Sequence, residues 1–298
     1  MDKKKFKQLT SEIEKYELTD EVRAKSEGSF VALPCGNTHY ELKGEGEAIV
    51  LVHGYATPYY IYDKLFDGFV KAGYKVLRYD LLGRGLSERV NKKYTPELFA
   101  EQLKELVDTV LPNESFYLTG TSMGGAIVTA YIAKYSDKVK KLFLLAPAGM
   151  NFKAPAYMKL SNIPVLGEII FYLLGTKILL KKCSSELIYS KDESDYYMEK
   201  FAESIKYKGF SRATLSSLRN TILNQKVTIP NYMEVEKTDI PIVLIWGTID
   251  KTMPYYQVKQ LKSIIPRTKL YTFENSGHIF LFDEGQRTLD ILLKEIEK

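Results

Sequence analysis

The chain has 298 residues, of which 45% are hydrophobic and 27% charged, and its formal net charge is +5. This composition is that of an ordinary globular protein and excludes a disordered or fibrous chain. The first residues lack the apolar run of a secretory signal, and the two cysteines are too few for a disulfide framework. We therefore predict a cytoplasmic protein. Because no basic stripe is interleaved with aromatic residues, nucleic acid is not an expected partner.

Residues 1–28 are predicted to form an N-terminal helical extension. They are rich in charge, and four apolar residues recur at helical spacing, namely Phe6, Leu9, Ile13 and Tyr16. This pattern indicates an amphipathic helix packed on the core, and it favours that arrangement over contact with a membrane surface. Two short strands are predicted next, at 29–33 and 38–42, with a hairpin turn over Pro34–Asn37.

From residue 48 onward, predicted strands and helices alternate. The run 48–52 is continuously apolar, as expected of a parallel strand that is buried on both faces. Further strands are predicted at 75–79, 116–119, 141–145, 242–246 and 269–273, and helices at 61–72, 96–110, 123–135, 255–265 and 286–297. Strands that alternate with helices indicate βαβ units. The sequence therefore predicts an α/β protein with a mostly parallel central sheet flanked by helices.

The alternation is interrupted after the sixth strand. Residues 148–238 contain no buried-strand run, while apolar residues recur at helical spacing over 163–180 and 196–223. We predict a helical cap, or lid, inserted into a core made of 29–147 and 239–298. The stretch 163–180 is the most hydrophobic part of the chain, but it is shorter than a membrane span of roughly 20 residues. Packed cap helices are therefore favoured over a lip that dips into a membrane.

The fifth predicted strand runs into the sequence Gly120-Thr121-Ser122-Met123-Gly124, a G-x-S-x-G motif at the start of a helix. A nucleophile raised on a tight turn needs a strained backbone and close packing of strand against helix. Glycines at 120 and 124 leave the room that a Cβ atom would fill. The alternative is a serine that only caps a helix, so the motif needs a base and an acid to support a catalytic role.

A serine hydroxyl is a poor nucleophile until a base takes its proton, and the chain contains three histidines. His39 lies in the early hairpin, where exposure or local packing is the better interpretation. His53 ends the first buried strand, where a histidine more often holds a loop. His278 follows the last strand, which places it at the carboxyl edge of the sheet with Ser122. His278 is therefore the candidate base.

An imidazole base is held in one tautomer by a carboxylate on its far nitrogen. Asp250 follows the seventh strand and reaches the same sheet edge. Asp80, at the end of the fourth strand, is the competing acid, but its surroundings favour a turn-forming role. Asp283 and Glu284 are predicted to open the last helix. Asp250 is therefore the candidate acid.

A developing oxyanion needs donors, which backbone N–H groups can supply. The residue after the nucleophile, Met123, is one expected donor. The second is expected from the loop after the first buried strand, where Tyr55 follows His53 and Gly54.

Together these motifs resemble those of the α/β-hydrolase superfamily. The resemblance covers 29–147 and 239–298 and rests on Gly44-Glu45-Gly46-Glu47, His53-Gly54, Asp80-Leu81-Leu82-Gly83-Arg84-Gly85-Leu86-Ser87, the Ser122 motif, Asp250 and Gly277-His278. It implies the α/β-hydrolase fold with a cap, and the chain order Ser122, Asp250, His278 is the order of that superfamily. No metal or cofactor is implied.

The nucleophile separates the subfamilies of this fold. Serine at 122 is unlike haloalkane dehalogenases and epoxide hydrolases, which have aspartate there. Carbon–carbon hydrolases commonly carry a tryptophan shortly after the histidine, whereas His278 is followed by Ile-Phe-Leu-Phe. The motif with a helical cap is most similar to microbial carboxylesterases and monoacylglycerol lipases, which implies a small lipophilic ester substrate. A carbon–carbon hydrolase or a non-metal haloperoxidase with the same triad, and a ligand receptor on this fold, remain the alternatives.

Overall fold

The computed structural model describes residues 3–186 and 191–298. Eight strands form one sheet in the order β1-β2-β4-β3-β5-β6-β7-β8. Their bounds are β1 Ser29–Leu33, β2 Gly36–Lys43, β3 Ala48–Val52, β4 Lys75–Tyr79, β5 Phe116–Thr121, β6 Val139–Leu145, β7 Ile242–Gly247 and β8 Lys269–Phe273. Strand β2 pairs antiparallel with β1 and β4, and the other pairs are parallel. The predicted mostly parallel sheet is confirmed.

The helices cover both faces of the sheet and fill the segment between β6 and β7. Their bounds are α1 Lys3–Ser11, α2 Asp20–Ala24, α3 Asp63–Lys71, α4 Pro96–Val110, α5 Met123–Ile132, α6 Ala156–Leu160, α7 Leu166–Ile170, α8 Thr176–Glu186, α9 Lys191–Ile205, α10 Phe210–Ser217, α11 Gln225–Glu236, α12 Gln257–Ile264, α13 Phe280–Asp283 and α14 Gly285–Ile296. A 3₁₀ turn occupies Tyr59–Tyr62, and π-helical turns occupy Phe171–Gly175 and Leu218–Ile222.

The sheet brings four loops to one edge. Strands β3, β5 and β7 are buried along their whole length, which explains their apolar sequences. Because β3 to β8 run parallel, the residues that follow each of them lie at the same edge. The segments after β3, β5, β7 and β8 contain Tyr55, Ser122, Asp250 and His278, respectively.

The N-terminal extension is two short helices rather than the single amphipathic helix predicted. Helix α1 ends at Ser11, and Glu14 adopts a left-handed backbone with φ of 51°. The chain then leaves helical geometry because its backbone bonds to another segment. Tyr16 N donates to Lys206 O at 3.0 Å, and Lys208 N donates to Tyr16 O at 2.8 Å. The extension is therefore joined to the segment after α9.

The first hairpin is tighter than predicted. Leu33 pairs with Gly36, so the loop is Pro34–Cys35 rather than Pro34–Asn37. A Cβ atom at Gly36, whose φ is +145°, would lie 2.8 Å from the Val90 side chain. Glycine thus permits a close approach within the strand, where the sequence indicated a turn residue.

The segment 148–238, predicted as a cap, forms helices α6 to α11 in its described part and contains no strand there. Residues 187–190 of that prediction, like residues 1–2 of the extension, lie outside the described residues. The Tyr232 hydroxyl of α11 donates to Ala148 O at 2.6 Å, and α11 packs against α5. In the part of the chain that the structure describes, no helix combines the length and apolarity needed to cross a membrane.

Candidate active site

Ser122 lies on a strained turn between β5 and α5. Its φ and ψ are 54° and −121°, which are unusual for a residue with a side chain. Backbone bonds on both sides hold this conformation: Ser122 N donates to Leu145 O at 3.0 Å, and Ala148 N donates to Ser122 O at 2.8 Å. The side chain is held at the carboxyl edge of the sheet, at the start of a helix.

The glycines of the motif are required by close packing. A Cβ atom at Gly120 would lie 2.6 Å from Gly124 O, and one at Gly124 would lie 2.1 Å from Val52 O. Both contacts are with backbone, which cannot move aside without displacing a strand or a helix. The structure therefore leaves no room for a Cβ atom at either position, as the sequence predicted.

We expect Gly124→Ala to lower the free energy of unfolding by about 3 kcal/mol, because the added methyl group collides with the β3 backbone. Urea unfolding measures the change. Gly277→Ala is the matched control, since a Cβ atom at Gly277 would have no heavy atom within 4 Å. Equal stability of the two variants would contradict the packing argument.

The structure brings Ser122, His278 and Asp250 together. His278 Nε2 lies 3.0 Å from Ser122 Oγ, and His278 Nδ1 lies 2.7 Å from Asp250 Oδ2. Ser122 is 7% exposed, and the carboxylate of Asp250 is fully buried. One hydrogen-bonded chain therefore runs from the hydroxyl through the imidazole to a carboxylate.

The other oxygen of Asp250 is held by backbone. Asp250 Oδ1 accepts from Thr252 N and from Met253 N, both at 2.8 Å. These donors, together with His278, satisfy a carboxylate that would otherwise be costly to bury. They also direct Oδ2 towards His278.

Asp80, the competing acid, pairs with a different histidine. Its Oδ2 lies 2.7 Å from His39 Nδ1, and it also accepts from Tyr59 N and Leu86 N. His39 is only 3% exposed, so of the two interpretations of this residue, local packing holds and exposure is wrong. Burial opposes the charged imidazole, but the hydrogen bond to Asp80 and its negative charge together raise the pKa of His39.

His53 holds the loop that follows β3. Its Nε2 accepts from Leu81 N at 2.9 Å, which leaves Nδ1 as the donor to Gly54 O at 3.0 Å. Complete burial disfavours the charged form and lowers the pKa of His53 to about 4. His53 is thus a neutral link between the loops after β3 and β4.

This histidine makes the fold sensitive to acid. Between its ordinary pKa of 6.5 and its folded pKa of about 4, the unfolded chain takes up a proton that the folded protein does not. His53 should therefore make the free energy of unfolding about 2 kcal/mol lower at pH 5 than at pH 7. Urea titrations of wild type and His53→Gln measure this, and the variant should lose that share of the pH dependence. An unchanged pH dependence in the variant would contradict the assignment.

The two expected oxyanion donors flank Ser122. Met123 is the first residue of α5, and such N–H groups have no acceptor within their own helix. On the other side, a Cβ atom at Gly54 would lie 3.2 Å from Ser122 Cβ, so the loop that contains Tyr55 passes directly beside the serine.

A buried arginine holds that loop, and the sequence interpretation missed it. Arg84 is fully buried, and its Nε donates to Tyr55 O at 2.9 Å. Its Nη2 donates to Ser217 Oγ in α10 at 2.8 Å, and burial lowers its pKa to about 10. The Tyr55 hydroxyl also donates to Thr214 O of α10 at 3.0 Å. Arg84 lies in the Asp80–Ser87 motif, but nothing local indicates that it bonds to a residue 133 positions further on.

Two small cavities adjoin Ser122. One, of about 100 Å³, contains His278 and the Tyr55 loop in its wall. The other, of about 90 Å³, extends beneath the helices of the segment 148–238 and has an apolar wall made of Met158, Ile170, Phe171, Ile178, Leu179, Leu218, Ile222 and Met253. We call the second cavity the apolar arm. Lys182 lines both cavities, and no carboxylate does among the described residues.

The sheet order, the strained serine between β5 and α5, and the hydrogen-bonded serine, histidine and aspartate define a hydrolase of the α/β-hydrolase superfamily. A family model described as serine aminopeptidase, S33 matches residues 45–285, and the chain belongs to that family.

Relatives and solved structures agree on the fold and differ in activity. A putative non-heme chloroperoxidase of Synechocystis is 38% identical over 270 residues, which are 87% of this chain and 94% of that protein. Lipase 3 of Moraxella is 28% identical over 243 residues, 78% of this chain and 72% of the lipase. An esterase of Exiguobacterium antarcticum superposes with a TM-score of 0.76 at 18% identity and covers 91% of this chain and 100% of its own. These comparisons support a hydrolase and leave its substrate open.

Proposed function

We propose that this protein hydrolyses a lipophilic carboxylic ester through an acyl-enzyme. The observation that carries the proposal is the hydrogen-bonded chain from Ser122 Oγ through His278 to Asp250. Ser122 Oγ attacks the ester carbonyl carbon while His278 Nε2 takes its proton. His278 returns that proton to the leaving alcohol, and a water molecule then hydrolyses the acyl-enzyme with His278 again as base.

Asp250 has a supporting role in this proposal. Its carboxylate keeps the proton on His278 Nδ1, which leaves Nε2 free to act as base, and it stabilises the imidazolium that forms. The backbone N–H groups of Met123 and Tyr55 bind the oxyanion of each tetrahedral intermediate. Each such donor contributes roughly 3 kcal/mol to the lowering of the barrier.

The walls of the two cavities favour an ester over a peptide with a free amino terminus. Lys182 is the one charged side chain among their described lining residues, and it is a cation. An aminopeptidase substrate would present an ammonium group and would need a carboxylate near the serine. The apolar arm instead suits a hydrocarbon chain on one side of the scissile bond.

A substrate panel tests the proposal. We expect kcat/KM for p-nitrophenyl esters with acyl chains of medium length to exceed that for an aminoacyl p-nitroanilide by more than about 100-fold, a difference that reflects distinct transition-state contacts. Turnover of a vinylogous diketone with negligible esterase activity would instead identify a carbon–carbon hydrolase. Ligand-induced thermal stabilisation without turnover of any substrate would favour a receptor.

The chloroperoxidase relative supports a second candidate, a non-metal haloperoxidase, which would use the same three residues. Hydrogen peroxide and bromide with a dye that reports halogenation measure that activity directly. Halogenation that outpaces ester hydrolysis in the same preparation would replace the ester proposal.

A further inference from the structure

The described part of the chain exposes fourteen large hydrophobic side chains, and nine of them lie within residues 160–178. These nine, which we call the cap ridge, are Leu160, Ile163, Val165, Leu166, Ile169, Tyr172, Leu173, Leu174 and Ile178. Scattered exposed apolar residues need no explanation, but a concentration of this kind on one segment marks an interaction surface.

The ridge consists largely of continuous helix. Helix α7, the π turn Phe171–Gly175 and α8 follow one another without a break. Val165 is 71% exposed and Tyr172 is 69% exposed, so most of the surface of these two side chains is not packed against the protein. Within the described residues, the protein leaves this surface uncovered.

The charge around the ridge is positive. Lys153, Lys159, Lys177 and Lys181 are exposed, and residues 153–182 contain a single acidic residue, Glu168, which forms an ion pair with Arg219. Helix α1 adds an exposed lysine, Lys7. The helix lies beside the ridge, because its Thr10 lines a cavity together with Tyr172 and Leu173. Ile13 and Glu14, which follow the helix, line the same cavity, and so does Lys177 of the ridge segment.

We propose that the cap ridge docks on an anionic lipid surface. Apolar side chains would enter the boundary between headgroups and acyl chains, while the surrounding lysines would contact anionic headgroups. This chemistry matches an apolar helical surface with a basic border, and it requires no membrane-spanning segment.

The position of the ridge connects the docking surface to the catalytic serine. Ile178 belongs to the ridge and also lines the apolar arm, which reaches Ser122. Ile169, Tyr172 and Leu173 line a separate cavity of about 710 Å³ beside the arm's wall residue Phe171. An ester dissolved in the lipid would therefore enter the site without crossing bulk water, a step that rests on the proposed esterase function.

A second copy of the chain is the competing occupant of the ridge. A symmetric dimer formed through this surface would place the same patch, with its lysines, against itself. Like charges that face each other across an interface are unfavourable. The charge pattern therefore favours a lipid partner over self-association.

Vesicle co-sedimentation tests the proposal independently of hydrolysis, because it uses the Ser122→Ala protein. We expect binding to phosphatidylcholine vesicles that contain phosphatidylglycerol, and much weaker binding to phosphatidylcholine alone. Introducing Val165→Asp and Leu174→Asp should weaken binding roughly tenfold or more, since two exposed apolar side chains no longer enter the lipid. The matched control carries Met233→Asp and Tyr256→Asp, which are 50% and 51% exposed outside the ridge, and should bind as before.

Three outcomes would overturn the proposal: no binding to either vesicle, equal binding by ridge and control variants, or a dimer in analytical ultracentrifugation that only the ridge variant loses. The third would assign the surface to a second copy. Circular dichroism spectra test whether each variant is folded. If vesicles bind but wild type hydrolyses no ester, the docking surface stands and the proposed function fails.

Discussion

Replacing Ser122 with alanine is expected to lower kcat/KM for p-nitrophenyl esters by about 10⁴-fold or more. The hydroxyl is the group that His278 Nε2 contacts at 3.0 Å, and alanine leaves the imidazole with no nucleophile to activate. Residual activity should come from the oxyanion donors alone, which hold the carbonyl but cannot form an acyl-enzyme. Initial rates over a range of ester concentrations measure the change.

Two controls make this experiment specific. Ser263→Ala removes an exposed hydroxyl on α12 and should leave kcat/KM unchanged. A fluorophosphonate probe should label wild type and Ser263→Ala but not Ser122→Ala, and the labelled peptide should contain residue 122. Equal esterase activity in wild type and Ser122→Ala would remove the serine from the mechanism, whatever the geometry of the site.

Much of the fold was predictable because its signals are local. Short strand-like segments that alternate with helical patterns predicted every strand from β3 to β8, and the resulting parallel sheet is observed. The glycines at 120 and 124 predicted close packing at the serine turn because a Cβ atom there would contact backbone. Such requirements are present within a few residues of sequence.

Long-range contacts were not predictable in the same way. The N-terminal helix ends at Ser11, and the chain turns at Glu14 because Tyr16 pairs with a segment 190 residues later. The buried Arg84 donates hydrogen bonds to Tyr55 O and Ser217 Oγ. Ser217 lies in α10, which comes close to Arg84 only in the folded chain. Neither Glu14 nor Arg84 carries a local sequence signal that distinguishes it from an exposed charged residue.

The two buried aspartate–histidine pairs illustrate the same limit. Sequence placed Asp80 and Asp250 at the same sheet edge. The turn chemistry around Asp80 and the chain order Ser122, Asp250, His278 favoured Asp250. The structure adds that Asp80 bonds to His39 and Asp250 bonds to His278. The aspartate that supports the candidate base is therefore identified by the histidine to which it bonds. That contact depends on tertiary structure.

Asp250→Asn is expected to lower kcat by about 10⁴-fold while leaving the protein folded. Asparagine Oδ1 can still accept from Thr252 N and Met253 N, so the loop is retained. The neutral amide, however, cannot stabilise an imidazolium, and its NH₂ group would face His278 Nδ1. That contact favours the tautomer with the proton on Nε2, which cannot act as base towards Ser122.

Asp80→Asn provides the contrast that identifies the acid. It leaves His39 without its carboxylate partner, and we expect a loss of about 3 kcal/mol or more in the free energy of unfolding, as for other buried pairs that lose one member. Its kcat, measured on the folded fraction, should fall far less than that of Asp250→Asn. Parallel measurement of kcat and urea stability in both variants separates a catalytic carboxylate from a structural one. A larger fall in kcat for Asp80→Asn than for Asp250→Asn would contradict the proposed role of Asp250. The 2.7 Å contact between Asp250 and His278 would then make no contribution to proton transfer.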